Sequence, residues 1–129
     1  MSKVPVYTAI FLDGVSRETL LKAFPPIHPK VLGHHVTLVF KPSPQVLEDL
    51  QPYLEKEAVF EIVGYATDSR GQALKVTVPE ALRIGGQVHH LTLSCAEGTS
   101  PVYSNALLRE GWSNTIPRMV KGVVRHFTG

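Results

Sequence analysis

The sequence has 129 residues, of which 43% are hydrophobic, and this size and composition predict one compact domain spanning residues 1–129. Thirteen basic residues face eleven acidic ones, an excess too small to indicate binding along an extended nucleic-acid duplex. The single cysteine, Cys95, excludes an internal disulfide and suits a reducing cytosol, so we expect a cytoplasmic protein. The N-terminal residues show no secretory signal, and no apolar stretch approaches the roughly 20 residues that cross a bilayer.

The first third of the chain predicts two strands, each followed by a helix. A β-prone run at 6–12 precedes a helix with Ser16 as its N-cap, which ends before Pro25-Pro26. A second strand at 33–40 leads to Ser43-Pro44, a cap followed by a proline in the first helical position. We expect Pro52 to kink or end the helix that begins there.

The middle of the chain predicts three more strands. Residues 59–67 and 73–78 are β-rich runs, and the four residues from Asp68 to Gly71 between them favour a tight reversal, hence a hairpin. Residues 87–96 form the next predicted strand. These runs are expected to pair as antiparallel neighbours.

The last third of the chain predicts a helix and a closing strand. Ser100-Pro101 repeats the signal of a cap followed by proline before a helix at 102–109. Residues 111–119, which include Pro117, have no clear periodicity and are predicted to form a loop. The β-prone run at 120–127 is expected to complete a sheet.

Two pentads repeat each other: His34-His35-Val36-Thr37-Leu38 and His89-His90-Leu91-Thr92-Leu93. Each lies in a predicted strand that is followed by a Ser-Pro helix start, which indicates an internal duplication. The predicted fold class is therefore α/β (α+β), with two similar lobes of antiparallel sheet flanked by helices around a central cleft.

Side chains alternate along a strand, so His35 and Thr37 share one face, as do His90 and Thr92. An imidazole and a hydroxyl side by side on each of two strands could hold one phosphate between them. Each threonine hydroxyl can donate to a phosphate oxygen, and the two histidines can act as general base and general acid. This scheme needs no metal or other cofactor, and the similarity of the motifs leaves the two histidine roles interchangeable.

Other candidate substrate contacts have weaker signals. Ser94 shares the face of His90 and Thr92, and the helix after Ser100 could offer backbone N–H groups to phosphate. Tyr103, like Tyr7 and Trp112, could stack on a base or could pack in the core.

The remaining histidines and basic residues have a simpler interpretation. His34 and His89 are expected to face away from the cleft, in packing or hydrogen bonding, and His28 and His126 to be structural or exposed. Lys41 and Arg70 could steer an anion, although isolated basic side chains are usually only solvated. Four histidines could instead bind a metal, but strand neighbours diverge and no carboxylate or helical histidine pair completes such a site.

Two H-x-T-h motifs, where h is apolar, on strands of a duplicated α/β domain resemble the two-histidine (2H) phosphoesterases. The resemblance covers most of the chain. Within that superfamily, the pentad at 34–38 and the segment at 101–108 look most like the cyclic phosphodiesterase domain of fungal and plant tRNA ligases. The resemblance implies an enzyme that opens RNA 2',3'-cyclic phosphate ends to leave a 2'-phosphate, with His35 and His90 catalytic and Thr37 and Thr92 phosphate-binding.

Several alternatives stay open. The 2H scaffold also handles 2'-5' linkages, ADP-ribose cyclic phosphate and cyclic oligonucleotides, so the partner is an RNA terminus or another cyclic nucleotide. A non-catalytic module that binds RNA ends could use the same four side chains. The sequence does not specify an oligomeric state.

Overall fold

The computed structural model describes residues 6–83 and 89–128. It contains three α-helices and seven strands in the described residues. The strands are β1 (Tyr7–Leu12), β2 (Lys30–Val31), β3 (His35–Phe40), β4 (Glu57–Thr67), β5 (Gly71–Thr77), β6 (His89–Cys95) and β7 (Ser113–Phe127). The helices are α1 (Gly14–Ala23), α2 (Pro44–Leu50) and α3 (Tyr103–Glu110), with short 3-10 helices at Gln51–Tyr53 and Glu80–Leu82.

The strands form one antiparallel sheet in the order β2-β6-β5-β4-β7-β1-β3. The antiparallel, α+β character is as predicted, but the strands of the two predicted lobes belong to one sheet, because the long strand β7 pairs with both β4 and β1. The sheet curls until β3, at one edge, packs against β6, near the other. The ring nitrogen Nδ1 of His89 hydrogen-bonds the carbonyl oxygen of Thr37 at 3.2 Å and ties the two strands together. The internal duplication stays a prediction.

The predicted alternation along the two motif strands is present. On β3, Val36 and Leu38 are fully buried, whereas His35 and Thr37 between them are only partly buried. On β6, Leu91 and Leu93 are likewise fully buried. These apolar side chains join Phe60, Ile62 and other residues in the main core. Burial of this face fixes which side of each strand carries the histidine and threonine.

Helix α3 packs on the sheet face that carries Thr92. Ala73 is the cross-strand partner of Thr92, and it forms a second apolar cluster with Ala66, Leu107 and Leu108. Cross-strand partners project to the same side of a sheet, so the helix and Thr92 lie on the same side. The packing of Leu107 and Leu108 therefore places the N-terminal end of α3 beside the second motif.

The sequence predicted the cap of one helix correctly and that of another incorrectly. Ser43 accepts a hydrogen bond from the N–H of Val46 and caps α2, as predicted. In α1 the cap is Asp13, whose carboxylate accepts from the N–H of Ser16 at 2.7 Å, so the prediction of Ser16 is wrong. Ser100 accepts from the N–H of Val102 in a turn that precedes α3, and α3 begins at Tyr103.

The predicted loop at 111–119 is also wrong, because β7 begins at Ser113. Gly64 pairs with Asn114 and Ile62 pairs with Arg118, and the register between these pairs is irregular. Pro117 lies in this irregular stretch, where its missing N–H removes no regular ladder bond. A bulged strand segment that contains a proline has the same local composition as a loop, which explains the error.

Candidate active site

A cleft of about 420 Å³ opens where the curled sheet brings β3 and β6 together. Its wall contains both predicted pairs, His35 with Thr37 and His90 with Thr92. Six further residues complete the wall: Leu32, His34, Phe40, Pro101, Val102 and Asn105. Side chains that lie 55 positions apart in sequence (90 minus 35) therefore face one space.

Strand pairing and aromatic packing set the position of His35. Its backbone pairs with Phe11 of β1, and the Phe11 ring lies 5.2 Å from the imidazole, centroid to centroid. The ring of Tyr7 stacks on the same imidazole at 5.1 Å with an interplanar angle of 20°. Phe127 stacks on Tyr7 in turn at 4.8 Å. This column of rings restricts the rotation of His35.

Both motif histidines favour the neutral form in the cleft. Burial, followed by the charges of His34 and His90, lowers the pKa of His35 to about 4. Burial, followed by the charge of His89, lowers the pKa of His90. A neutral imidazole has one unprotonated nitrogen that can accept a proton, whereas a histidine must first be protonated before it can donate one. An anion bound between them would raise both pKa values, because it favours the charged form of its neighbours.

The two threonine hydroxyls have different surroundings. The hydroxyl of Thr92 lies 2.7 Å from that of Ser104 on α3, and it also donates to the carbonyl of Pro101 at 3.4 Å. Ser104 is itself buried. Within residues 6–83 and 89–128, no hydrogen bond engages the hydroxyl of Thr37. Thr37 can therefore donate directly to a ligand, whereas the orientation of Thr92 depends on α3.

Two predicted contacts lie outside the cleft wall. Ser94 is fully buried, and its hydroxyl donates to Oε1 of Gln72 at 2.6 Å and accepts from the N–H of His28. The hydroxyl of Tyr103 donates to the carboxylate of Asp68, and the guanidinium of Arg70 lies 4.5 Å from the Tyr103 ring centroid. Both hydroxyls thus have partners within the protein, and neither residue lines the cleft.

His34 differs from its predicted placement, because it is exposed and lines the cleft. The alternation rule applies only within a strand, and β3 begins at His35. Gly33, immediately before, has a φ of +81°, which redirects the chain. Gly33 was the sequence signal that could have indicated this change of chain direction before β3. His89, by contrast, is buried as predicted.

Phe40 and Asn105 were also missed by the sequence reasoning. Both line the cleft, Phe40 from the end of β3 and Asn105 from the first turn of α3. Nothing in the sequence distinguished Phe40 from a core aromatic. The register between β1 and β3 shifts between Val39 and Thr37, so Phe40 departs from the simple alternation of the strand, and the residue is 60% exposed.

Two kinds of feature are absent from the described residues. In 6–83 and 89–128, no group of three or more His, Cys, Asp or Glu side chains is arranged to hold a metal ion. No helix in this part of the chain is both long and apolar enough to span a membrane.

The chain matches no family model and no curated protein. Among solved structures it resembles a fungal RNA kinase with a TM-score of 0.59 and 15% sequence identity. The match covers 100% of this chain and 43% of the kinase chain, so this chain spans less than half of that protein. At this identity the likeness shows a shared fold, an α+β arrangement built on a curled antiparallel sheet.

Proposed function

We propose that the protein hydrolyses the 2',3'-cyclic phosphate at the end of an RNA strand and leaves a 2'-phosphate. The observation that carries the proposal is the convergence of His35, Thr37, His90 and Thr92 on one cleft. The resemblance of the two motifs to those of 2H phosphoesterases supports the reaction class. The structural neighbour, a fungal RNA kinase, supports RNA as the substrate.

The proposed reaction needs one imidazole on each side of the phosphorus atom, and the shared cleft supports this arrangement. One histidine removes a proton from water as the water oxygen attacks phosphorus in line with the departing oxygen. The bond from phosphorus to the ribose 3' oxygen breaks, and the other histidine, protonated when the anionic phosphate raises its pKa, donates its proton to that oxygen. Water is consumed, and one proton is exchanged at each histidine. The two threonine hydroxyls donate to the phosphate oxygens, on which negative charge develops in the transition state.

The chemistry of the cleft wall favours an anionic ligand. None of the ten described residues that line it is acidic, and three of them are histidines. A carboxylate in this position would repel phosphate and raise the pKa of the neighbouring imidazoles. The wall thus offers donors to a phosphate and no opposing charge.

Phe40 gives the cleft a surface for the terminal base. Its exposed ring faces the cleft from the strand that carries His35, and the ammonium of Lys41 lies 5.5 Å from the ring centroid. A base that stacks on Phe40 would hold the attached ribose near the motif side chains. Stacking on an aromatic ring tolerates any base, which suits an enzyme that recognises the end of a strand.

The test offers a short RNA that ends in a 2',3'-cyclic phosphate, in the presence of a chelator, to the wild type and two variants. We expect the wild type to open the ring, and His35→Ala and His90→Ala each to lower kcat by about 10²- to 10⁴-fold. His126→Ala is the matched control, because this histidine lies outside the cleft and contacts Thr8. Chromatography of the product distinguishes a 2'-phosphate from a 3'-phosphate.

Three other results would contradict the reaction, the substrate or the catalytic residues, respectively. A wild type that binds the RNA and leaves it unchanged is a module for RNA ends, and the proposal fails. Activity on 2'-5' linkages or on ADP-ribose cyclic phosphate alone would keep the chemistry and replace the substrate. Full activity in both cleft variants would contradict the assignment of the catalytic histidines.

A further inference from the structure

Two basic side chains at the rim of the cleft beside β3, His34 and Arg17, are not used by the proposed reaction. His34 lines the wall next to His35, and Leu32 lies two residues before it. Arg17 of α1 donates to the carbonyl oxygen of Leu32 through Nε at 3.2 Å and through Nη2 at 2.9 Å. These two bonds fix the guanidinium against the loop that carries His34.

Arg17 keeps donors for a further partner. A guanidinium has five N–H groups, and the bonds to Leu32 engage Nε and one hydrogen of Nη2, which leaves both hydrogens of Nη1 and the second hydrogen of Nη2. The ion pairs in the described residues are Lys22 with Glu18 and Arg125 with Glu55, so no described carboxylate neutralises Arg17. The pKa of His34 is lowered first by the partial burial of its ring and then by the charge of Arg17, so this charge reaches the neighbouring imidazole.

We propose that His34 and Arg17 form a second phosphate subsite, which binds the internucleotide phosphodiester adjacent to the terminal cyclic phosphate. The substrate is then an oligonucleotide end, and a free cyclic mononucleotide lacks the group that the subsite recognises. This inference rests on the proposed function, since the first phosphate is assigned to His35 and His90. Neighbouring residues in the chain, His34 and His35, thus contact neighbouring phosphates in the strand.

The kinetic test compares a cyclic mononucleotide with a dinucleotide that ends in the same cyclic phosphate. We expect Arg17→Gln and His34→Ala to lower kcat/KM for the dinucleotide about tenfold, the usual size for one hydrogen bond to a charged group. Turnover of the mononucleotide should change less than about twofold. Lys22→Gln is the matched control, since Lys22 lies on the same helix, is exposed and pairs only with Glu18.

A binding test gives the same information without turnover. Two dinucleotides with a 3'-phosphate are compared, one with an ordinary phosphodiester link and one with an uncharged methylphosphonate link. The wild type and Lys22→Gln should bind the phosphodiester about tenfold more tightly than the methylphosphonate. The two rim variants, Arg17→Gln and His34→Ala, should lose this preference.

The two proposals fail in different ways. Equal binding of the two dinucleotides by the wild type overturns the subsite, as does a preference that survives in both rim variants. An equal loss of turnover on both substrates means that Arg17 and His34 only support the loop, and this also overturns it. If no cyclic phosphate is opened but the charge preference exists and requires both residues, the proposed hydrolysis fails and the subsite stands.

Discussion

The two threonines of the cleft occupy matching sequence positions but make different contacts. The hydroxyl of Thr92 is already hydrogen-bonded to Ser104, whereas the hydroxyl of Thr37 has no such bond to a described residue. A donor without a protein partner is available to a phosphate oxygen without breaking a bond. The sequence repeat predicted equal roles, and the structure favours Thr37 as the stronger donor.

Removal of the Thr37 hydroxyl should therefore lower catalysis with little effect on the fold. We expect Thr37→Val to reduce kcat about 10²-fold, since one donor to a developing negative charge is lost. Thr77→Val is the control, because Thr77 is exposed at the end of β5, outside the cleft wall. Steady-state hydrolysis of a cyclic-phosphate RNA measures the effect. Wild-type kcat in Thr37→Val would show that this hydroxyl does not contact the reacting phosphate.

Among the elements, the short connection from β2 to β3 closes the cleft. The N–H groups of Leu32 and Gly33 donate to the carbonyls of Leu93 and Thr92 on β6, both at 2.8 Å. The carbonyl of His34 accepts from the N–H of Leu12 on β1 at 2.9 Å. Three successive residues thus bridge the two ends of the curled sheet. We therefore expect the separation of His35 from His90 to depend on this bridge.

Gly33 is the residue in the bridge that tolerates least change. Its φ of +81° is unfavourable for a residue with a Cβ, and an added Cβ would lie 3.2 Å from Cδ2 of Leu21. We expect Gly33→Ala to lower the free energy of unfolding by about 1–2 kcal/mol and also to lower kcat. Urea denaturation and steady-state kinetics measure the two effects.

Gly98→Ala is the matched control for this prediction. Gly98 has a similar φ of +79°, but an added Cβ would meet nothing within 4 Å. Its substitution should lower stability through backbone strain alone and leave kcat unchanged. If both variants keep wild-type kcat, the bridge does not set the geometry of the cleft.

The elements that the sequence predicted correctly are those marked by a strong signal from residues close together in the chain. The Ser43-Pro44 start and the Asp68 turn, whose carboxylate accepts from the N–H groups of Arg70 and Gly71, could be identified from neighbours in sequence. The first half of β7 could not, because its strand character comes from pairing with β4, a partner some fifty residues away. The four motif residues followed from alternation, whereas the placement of His34 depends on the φ of Gly33, and that of Phe40 on the irregular register of β3 against β1.

Closure of the sheet on itself has an electrostatic consequence for the protein. Burial is the largest cause of the lowered pKa of His34, His35, His89 and His90. The fold thus gathers four imidazoles that prefer to be neutral. In the unfolded chain each would return to an ordinary pKa near 6.5.

This difference makes stability depend on pH with a definite sign. Below pH 6.5 the unfolded state binds protons that the folded cleft resists, so the free energy of unfolding should fall as pH falls from about 6.5 toward 4. For His35 alone, after allowance for its partial exposure, the loss should amount to about 1–3 kcal/mol. Above pH 6.5 the contribution of these histidines is constant. Urea denaturation at several pH values between 4.5 and 7.5 measures the slope.

His35→Asn separates the histidine contribution from that of carboxylates, which titrate at the acidic end of the same range. Asparagine fills a similar space and carries no titrating group, so the variant should lose less stability than the wild type between pH 7 and pH 5. The difference between the two slopes belongs to His35, because every carboxylate is common to both proteins. Identical slopes would mean that the pKa of His35 is not lowered in the folded state. Water would then reach the His35 imidazole more freely than its burial in the structure indicates.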